Sequence, residues 1–140
     1  MDLTLATQRV SEARVGRLGT VTHDGWPHLV PVCFVLLDEV IYTAVDAKPK
    51  STLHLRRLQN IAATPATCLL VDHYDETWTQ LWWVRLDGSA RVVASVPEAA
   101  QATHALTSKY PQYNTVAIPG PVIAIEIATW TMWPAGPTGD

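Results

Sequence analysis

Residues 16–32 read GRLGTVTHDGWPHLVPV, and the Asp24-Gly25 pair at their centre limits what the chain can build. A hairpin turn built on such a pair needs positive φ, which glycine adopts without a Cβ clash, and it joins two neighbouring strands running in opposite directions. The flanking segments are apolar enough to be those strands. The second is expected to run on through WPHLVPVCFVLL to Leu37, with a tight turn at Asp38 and Glu39 leading into a third strand, DEVIYTAV. An antiparallel sheet is therefore nucleated within the first third of the chain.

The remaining segments extend that sheet and add a few helices. Leu3, Ala6, Val10 and Ala13 recur at helical spacing before Gly16, with Asp2 and Thr4 at the start, and predict a short amphipathic helix. A second helix is expected over Ser51 to Ala63: Pro49 precedes it, Leu55, Leu58 and Ala62 share a face, and Thr64-Pro65 ends it. TCLLVDHY returns to strand, and QLWWVRLDGSARVVA reads as a strand pair with a bend or bulge at Gly88. Pro97 to Lys109 predicts a third helix, stopped before Pro111. PQYNTVAIPGP is expected as a loop, VIAIEIATWTMW as a long final strand, and PAGPTGD as a loose tail. Six or seven strands with two or three short helices imply a mostly β fold, an antiparallel β-barrel with helices packed at its ends. With 140 residues and no repeat or linker, residues 1–140 form a single domain.

Composition excludes several classes. The chain is 48% hydrophobic and 16% charged, as ordinary globular proteins are. Its longest apolar run, Leu29 to Leu37, is well short of the roughly 20 residues that cross a bilayer. The N-terminus lacks the basic head and apolar core of an export signal, so the cytoplasm is the expected location. Cys33 and Cys68 lie in apolar runs and are expected to be buried, reduced thiols. A net charge of −3 and a pI near 5.9 leave no broad positive surface for nucleic acid.

Yet DAKPKSTLHLRR, residues 46–57, holds four of the ten lysines and arginines. At a helix start, unpaired backbone N–H groups, the Ser51 and Thr52 hydroxyls and the charges of Lys48 and Lys50 would together cradle an anion. Arg56 and Arg57 follow one to two turns later, in reach of a second anionic group. The alternative is a solvated helix with Ser51 or Thr52 as its N-cap. No G-x-G-x-x-G, P-loop or G-x-S-x-G occurs. His23, His28, His54, His73 and His104 lack metal-ligand spacing, and the carboxylates of VDHYDE suit a polar loop. Six tryptophans are many for this length. On a strand Trp82 and Trp83 must face opposite sides, and the surplus of aromatic surface points to a homodimer.

The succession GRLGTVTHDGWPHLVPVCF, IYTAVDAKPKSTLHLRRLQNIAATPATCLLVD and LWWVRLDGSARVV resembles the split β-barrel family of flavin and deazaflavin proteins named after pyridoxamine 5′-phosphate oxidase, from about Val15 to Trp130. Within it the chain is similar to the mycobacterial-type subgroup of coenzyme F420-dependent oxidoreductases. The resemblance implies an FMN-binding-like split barrel in which Lys50, Ser51 and Thr52 hold the cofactor phosphate and Lys48 adds a charge. It implies that the cofactor ring lies against Val30, Pro31 and Val32 and against Tyr42, Thr43 and Ala44, at a groove between two subunits closed by a partner tryptophan such as Trp78. The doubled Arg56-Arg57 suits the carboxylate-bearing tail of F420, with FMN as the alternative. Hydride transfer to or from a small organic substrate is the implied reaction, with Tyr42, His28 or a water as proton donor and no covalent nucleophile. A non-catalytic carrier of the cofactor or of a tetrapyrrole is the other implied role. The ending WTMWPAGPTGD lacks the arginine and histidine set that pyridoxamine 5′-phosphate oxidase uses for its phosphorylated substrate, so oxidation of that substrate is not expected.

Overall fold

The computed structural model describes residues 1–44, 52–116, 118 and 120–134. Three helices, α1 (Leu3–Glu12), α2 (Thr52–Ala63) and α3 (Val96–Lys109), accompany seven strands: β1 (Gly16–Val21), β2 (Pro27–Val32), β3 (Val35–Leu37), β4 (Val40–Ala44), β5 (Ala66–His73), β6 (Trp82–Val92) and β7 (Val122–Trp133). All strand pairs are antiparallel, in the order β2-β1-β5-β6-β7-β4-β3. Laid flat, the first and last strands of that order would be about 29 Å apart. Val32 and Val35 are separated by only two residues, a reach of about 10 Å. The sheet must therefore curl toward closure, a curled seven-stranded sheet consistent with the antiparallel split barrel expected of the sequence.

The hairpin at Asp24-Gly25 forms as anticipated, with Gly25 at φ +91°. The Thr22 hydroxyl donates to Asp24 at 2.6 Å, which lowers the Asp24 carboxyl, and it accepts from the Trp26 N–H at 2.9 Å. Asp38 takes a left-handed φ of 54° in the next turn. Aspartate tolerates that conformation better than most residues.

Several expectations are corrected. The run from Trp26 to Leu37 is two strands, not one, because the Tyr110 hydroxyl captures the backbone at Phe34. It accepts from the Phe34 N–H at 3.2 Å and lies 3.2 Å from the Phe34 carbonyl and 3.0 Å from that of Arg14. Residues 82–92 are one strand, not a pair; Gly88 marks a bulge where the register to β7 shifts after Asp87. α1 buries Ala6 and Val10, while Leu3 is exposed and Leu5 packs in its stead. α2 turns Arg57, Asn60 and Ile61 inward and leaves Ala62 exposed. Neither cysteine is buried: Cys33 is exposed and Cys68 half-buried, both reduced.

Two apolar clusters hold the fold. Leu18, Phe34, Ile41, Leu69, Val84 and Ile125 fill the barrel, with α1 closing one end. Tyr42, Ala44, Val122 and Ala124 pack outward against Ala102 and Leu106 of α3 and against Tyr110 just after it. β4 and the start of β7, Val122 to Ile125, are thus buried on both faces, which explains their nearly continuous apolar sequences.

Candidate functional site

β2 and β4 belong to opposite halves of the sheet, but the curl brings their C-terminal ends together. The Thr43 hydroxyl joins them by donating to the Cys33 carbonyl at 2.7 Å. Where they meet, a cavity of about 180 Å³ opens, walled by Val15, Pro31, Val32, Cys33, Thr43, Ala44, Arg57 and Tyr113. Among the described residues its polar groups are a guanidinium, two hydroxyls and a thiol, with no carboxylate. Arg57 is only 7% exposed, so its charge is presented in a largely desolvated setting. A buried cation of this kind favours an anionic group over a neutral one.

The residues singled out from the sequence separate into three sets. Pro31, Val32, Thr43, Ala44 and Arg57 converge on the cavity. Val30 points into the barrel core, Arg56 is exposed outside the lining, and Trp78 is 70% exposed at the start of a 3₁₀ turn (Trp78–Gln80). Lys48, Lys50 and Ser51 lie outside the described residues, as does the side chain of Thr52, whose backbone opens α2.

Tyr42 faces away from the cavity. Its hydroxyl donates to Glu98 at 2.7 Å, and burial beside that carboxylate pushes the phenol up to about 12. His28 lines a different hollow, at the β2 edge. Of the side chains that carry a proton at the cavity wall, Tyr113 and Cys33 were not anticipated. Tyr113 sits in a 3₁₀ turn (Pro111–Asn114), with its ring edge-on to Tyr110. Nothing local in PQYN marks it, since its place depends on contacts between distant parts of the chain.

The outer face of β2, β1, β5 and β6 carries a second feature. Leu29, Cys68, Leu70 and Trp83 line a hollow of about 460 Å³ with Arg17, Asp72 and Arg85 at its rim. Leu29 is 70% exposed. The charges are already paired, Arg17 with Asp72 at 3.3 Å and Arg85 with Asp87 at 3.2 Å. Trp82 lies on the opposite face, stacked with His73 and covered by the Arg9 guanidinium 4.7 Å from its ring centre.

The family model of pyridoxamine 5′-phosphate oxidase matches residues 5–134. The chain belongs to the pyridoxamine 5′-phosphate oxidase family. The members' split barrel corresponds to the curled antiparallel sheet described above. Among solved structures, a FAD-binding protein from Mesorhizobium loti superposes with a TM-score of 0.72 at 20% identity, covering 94% of this chain and 92% of its own. A FAD-binding protein from Mycobacterium smegmatis gives 0.66 at 18%, with 94% and 93% covered. A heme-binding protein from the same organism gives 0.73 at 18%, covering 91% of this chain and 51% of its own. No curated protein matches the chain in sequence. Among the described residues no helix is long and apolar enough to cross a membrane.

Proposed function

We propose that the protein is a homodimeric oxidoreductase that binds a phosphate-bearing ring cofactor, coenzyme F420 with FMN as the alternative, and exchanges a hydride with a small organic substrate. The observation that carries this reading is the convergence of Pro31, Val32, Thr43, Ala44 and the buried Arg57 on one cavity, with no carboxylate among the described residues of its wall. The donor set fits an anionic ring ligand in kind. In size it fits only part of one, since drug-sized ligands occupy about 300–1,000 Å³. The remainder would be supplied by residues 45–51 and by a second copy of the chain.

In this reading Arg57 neutralises an anionic group of the ligand, and Lys50 with Ser51 holds its phosphate. Val32 and Ala44 exclude water from the ring, and the Thr43–Cys33 bond keeps the two strand ends at a fixed separation. When bound, the cofactor supplies the hydride chemistry, so the chain needs no nucleophile of its own. Tyr113 is the phenol at the cavity wall. It replaces Tyr42, whose hydroxyl is committed to Glu98, as the side chain to consider for proton transfer.

Titrating oxidised F420 and FMN separately into purified protein, and following ligand fluorescence, tests the reading. Binding of F420 in preference to FMN supports it; binding of neither overturns it. Lys50→Ala is expected to weaken the preferred cofactor by about 1.5–3 kcal/mol, the worth of a charge-assisted bond to phosphate, and unchanged affinity removes Lys50 from the site. The solved structures named for FAD favour a flavin and the one named for heme a carrier role. A Soret band on addition of hemin, without loss of reduced-cofactor absorbance toward enones or quinones, would favour the carrier.

A further inference from the structure

We propose that the hollow between α1 and Trp82 is a binding site for a small carboxylate with a flat apolar body, and that it holds the acid end of the substrate beside the cavity. The second half of that statement rests on the proposed function; the first half does not.

The hollow has a volume of about 410 Å³, against about 180 Å³ for the cavity, and falls in the range of sites that take small organic molecules. Leu5 and Arg9 of α1, and Arg14 and Val15 beyond its end, line it together with His73 of β5 and Trp82 of β6. His73 and Trp82 are partners across the two strands, with ring centres 6.0 Å apart and planes 22° from parallel, so they offer a flat aromatic surface.

The charges of the wall do not balance. The Arg9 guanidinium lies 4.7 Å from the Trp82 ring centre and donates to the Met132 sulfur at 3.6 Å. The Arg14 guanidinium lies 4.6 Å from the Tyr110 ring centre and donates to the Lys109 carbonyl at 2.9 Å. Among the described residues neither meets a carboxylate. A guanidinium lying on a ring uses its face, while its N–H groups project in its own plane, where a carboxylate can accept two of them. Of the acids in the wall, Asp72 is paired with Arg17 at 3.3 Å and Glu12 accepts from the Gln8 amide at 3.3 Å. Two guanidiniums thus stand against one carboxylate that has no cation, and the surplus favours an anionic ligand. Leu5, Val15 and the Trp82–His73 pair favour an apolar, flat remainder.

Val15 lines both the hollow and the cavity. The Tyr110 hydroxyl fixes their border, 3.0 Å from the Arg14 carbonyl and 3.2 Å from the N–H of Phe34, the residue after Cys33 in the cavity wall. A molecule held by Arg9 and Arg14 can therefore extend past Val15 toward a cofactor ring. A quinone bearing a carboxylate has this chemistry. A hydride from the reduced cofactor and a proton from solvent convert it to the hydroquinone, and the arginines hold the carboxylate without taking part in either transfer.

The full chain without cofactor is titrated calorimetrically with naphthoate, with the neutral naphthamide and with the cationic naphthylmethylamine. Naphthoate is expected to bind about tenfold or more tighter than naphthamide, and the amine most weakly. Equal affinities, or a preference for the amine, overturn the proposal. Naphthoate should shift the nuclear magnetic resonance signals of the Trp82 indole and the His73 imidazole; shifts confined to Val32, Thr43 and Tyr113 would put it in the cavity and overturn the site. Arg9→Met should lower naphthoate affinity about tenfold and naphthamide affinity about threefold at most, whereas an equal loss for both would show a structural role only. If that variant does not fold, the order of affinities and the shifts of the wild-type chain decide. With reduced cofactor bound, a naphthoquinone carrying a carboxylate should show a KM about fivefold or more below that of its methyl ester, with kcat alike; equal KM values refute the second half of the proposal. If the protein binds neither F420 nor FMN while naphthoate still binds at Trp82, the cofactor reading fails and the carboxylate site stands.

Discussion

Glu98 joins four parts of the molecule through one carboxylate. It receives the Tyr42 hydroxyl from β4 at 2.7 Å and both terminal nitrogens of Arg91 from β6 at 3.0 and 2.8 Å, while Arg91 reaches Glu126 of β7 at 2.9 Å. Those bonds, Arg91's first, hold the Glu98 carboxyl well below its ordinary 4.5, at about 2. A carboxylate whose folded value is depressed stabilises the fold above its unfolded value, and that stabilisation is lost as pH falls through the folded one. The contribution of Glu98 should therefore be complete above about pH 4.5 and fade toward about pH 2. Urea midpoints of wild type and Glu98→Gln, compared from pH 7 to pH 2.5, should differ at neutral pH and converge in acid; a constant gap would show that the charge is not what matters. The same network explains why Tyr42 was misplaced. Strand alternation puts Tyr42 and Thr43 on opposite faces, but only the position of α3 decides which face meets the cavity.

At the scale of elements, pattern identified nearly every strand and helix, because alternation, caps and turn residues act locally. Asp2 caps α1 by accepting from the Leu5 N–H, and Ser95 caps α3 by accepting from that of Glu98. What pattern missed depends on distant partners. The break at Cys33-Phe34 is made by Tyr110, 76 residues on, and the inward turn of Asn60 is secured by its bond to Thr20 at 3.2 Å. The β6 bulge was legible as a glycine, and its cause is the approach of β7: a Cβ on Gly88 would overlap the Glu126 carbonyl oxygen. Backbone cannot move aside as a flexible side chain can. Gly88→Ala should thus cost about 1–3 kcal/mol and lower the melting temperature by about 3–10 °C. Gly16→Ala, which meets the Leu69 side chain at 2.8 Å, should cost less because leucine can rotate. Thermal melts of the two variants provide the comparison, and a larger fall for Gly16→Ala would contradict this account of the bulge.

For the whole molecule, the outer sheet face and the small cavity bear on the same question. A face carrying Leu29, Leu70 and Trp83, with its charges already paired, leaves apolar area in water that a second copy could cover without burying an uncompensated charge. Pro31 and Leu29 are both exposed on β2, two residues apart and therefore on one side of the strand, so this face runs directly into the cavity mouth. A cavity of about 180 Å³ holds only part of a flavin-sized ligand, and a partner seated on that face would supply the missing wall. Dimerisation and cofactor binding should accordingly be lost together. Leu29→Asp with Trp83→Asp places two new carboxylates on the face without touching the barrel core. Sedimentation velocity is expected to show a dimer for wild type and a monomer for the variant, far-ultraviolet circular dichroism should be unchanged, and cofactor affinity should fall about tenfold or more, the effect of leaving one wall of the site to water. A folded monomer that binds with wild-type affinity would mean that one chain makes the site alone, and residues 45–51 would then have to complete it.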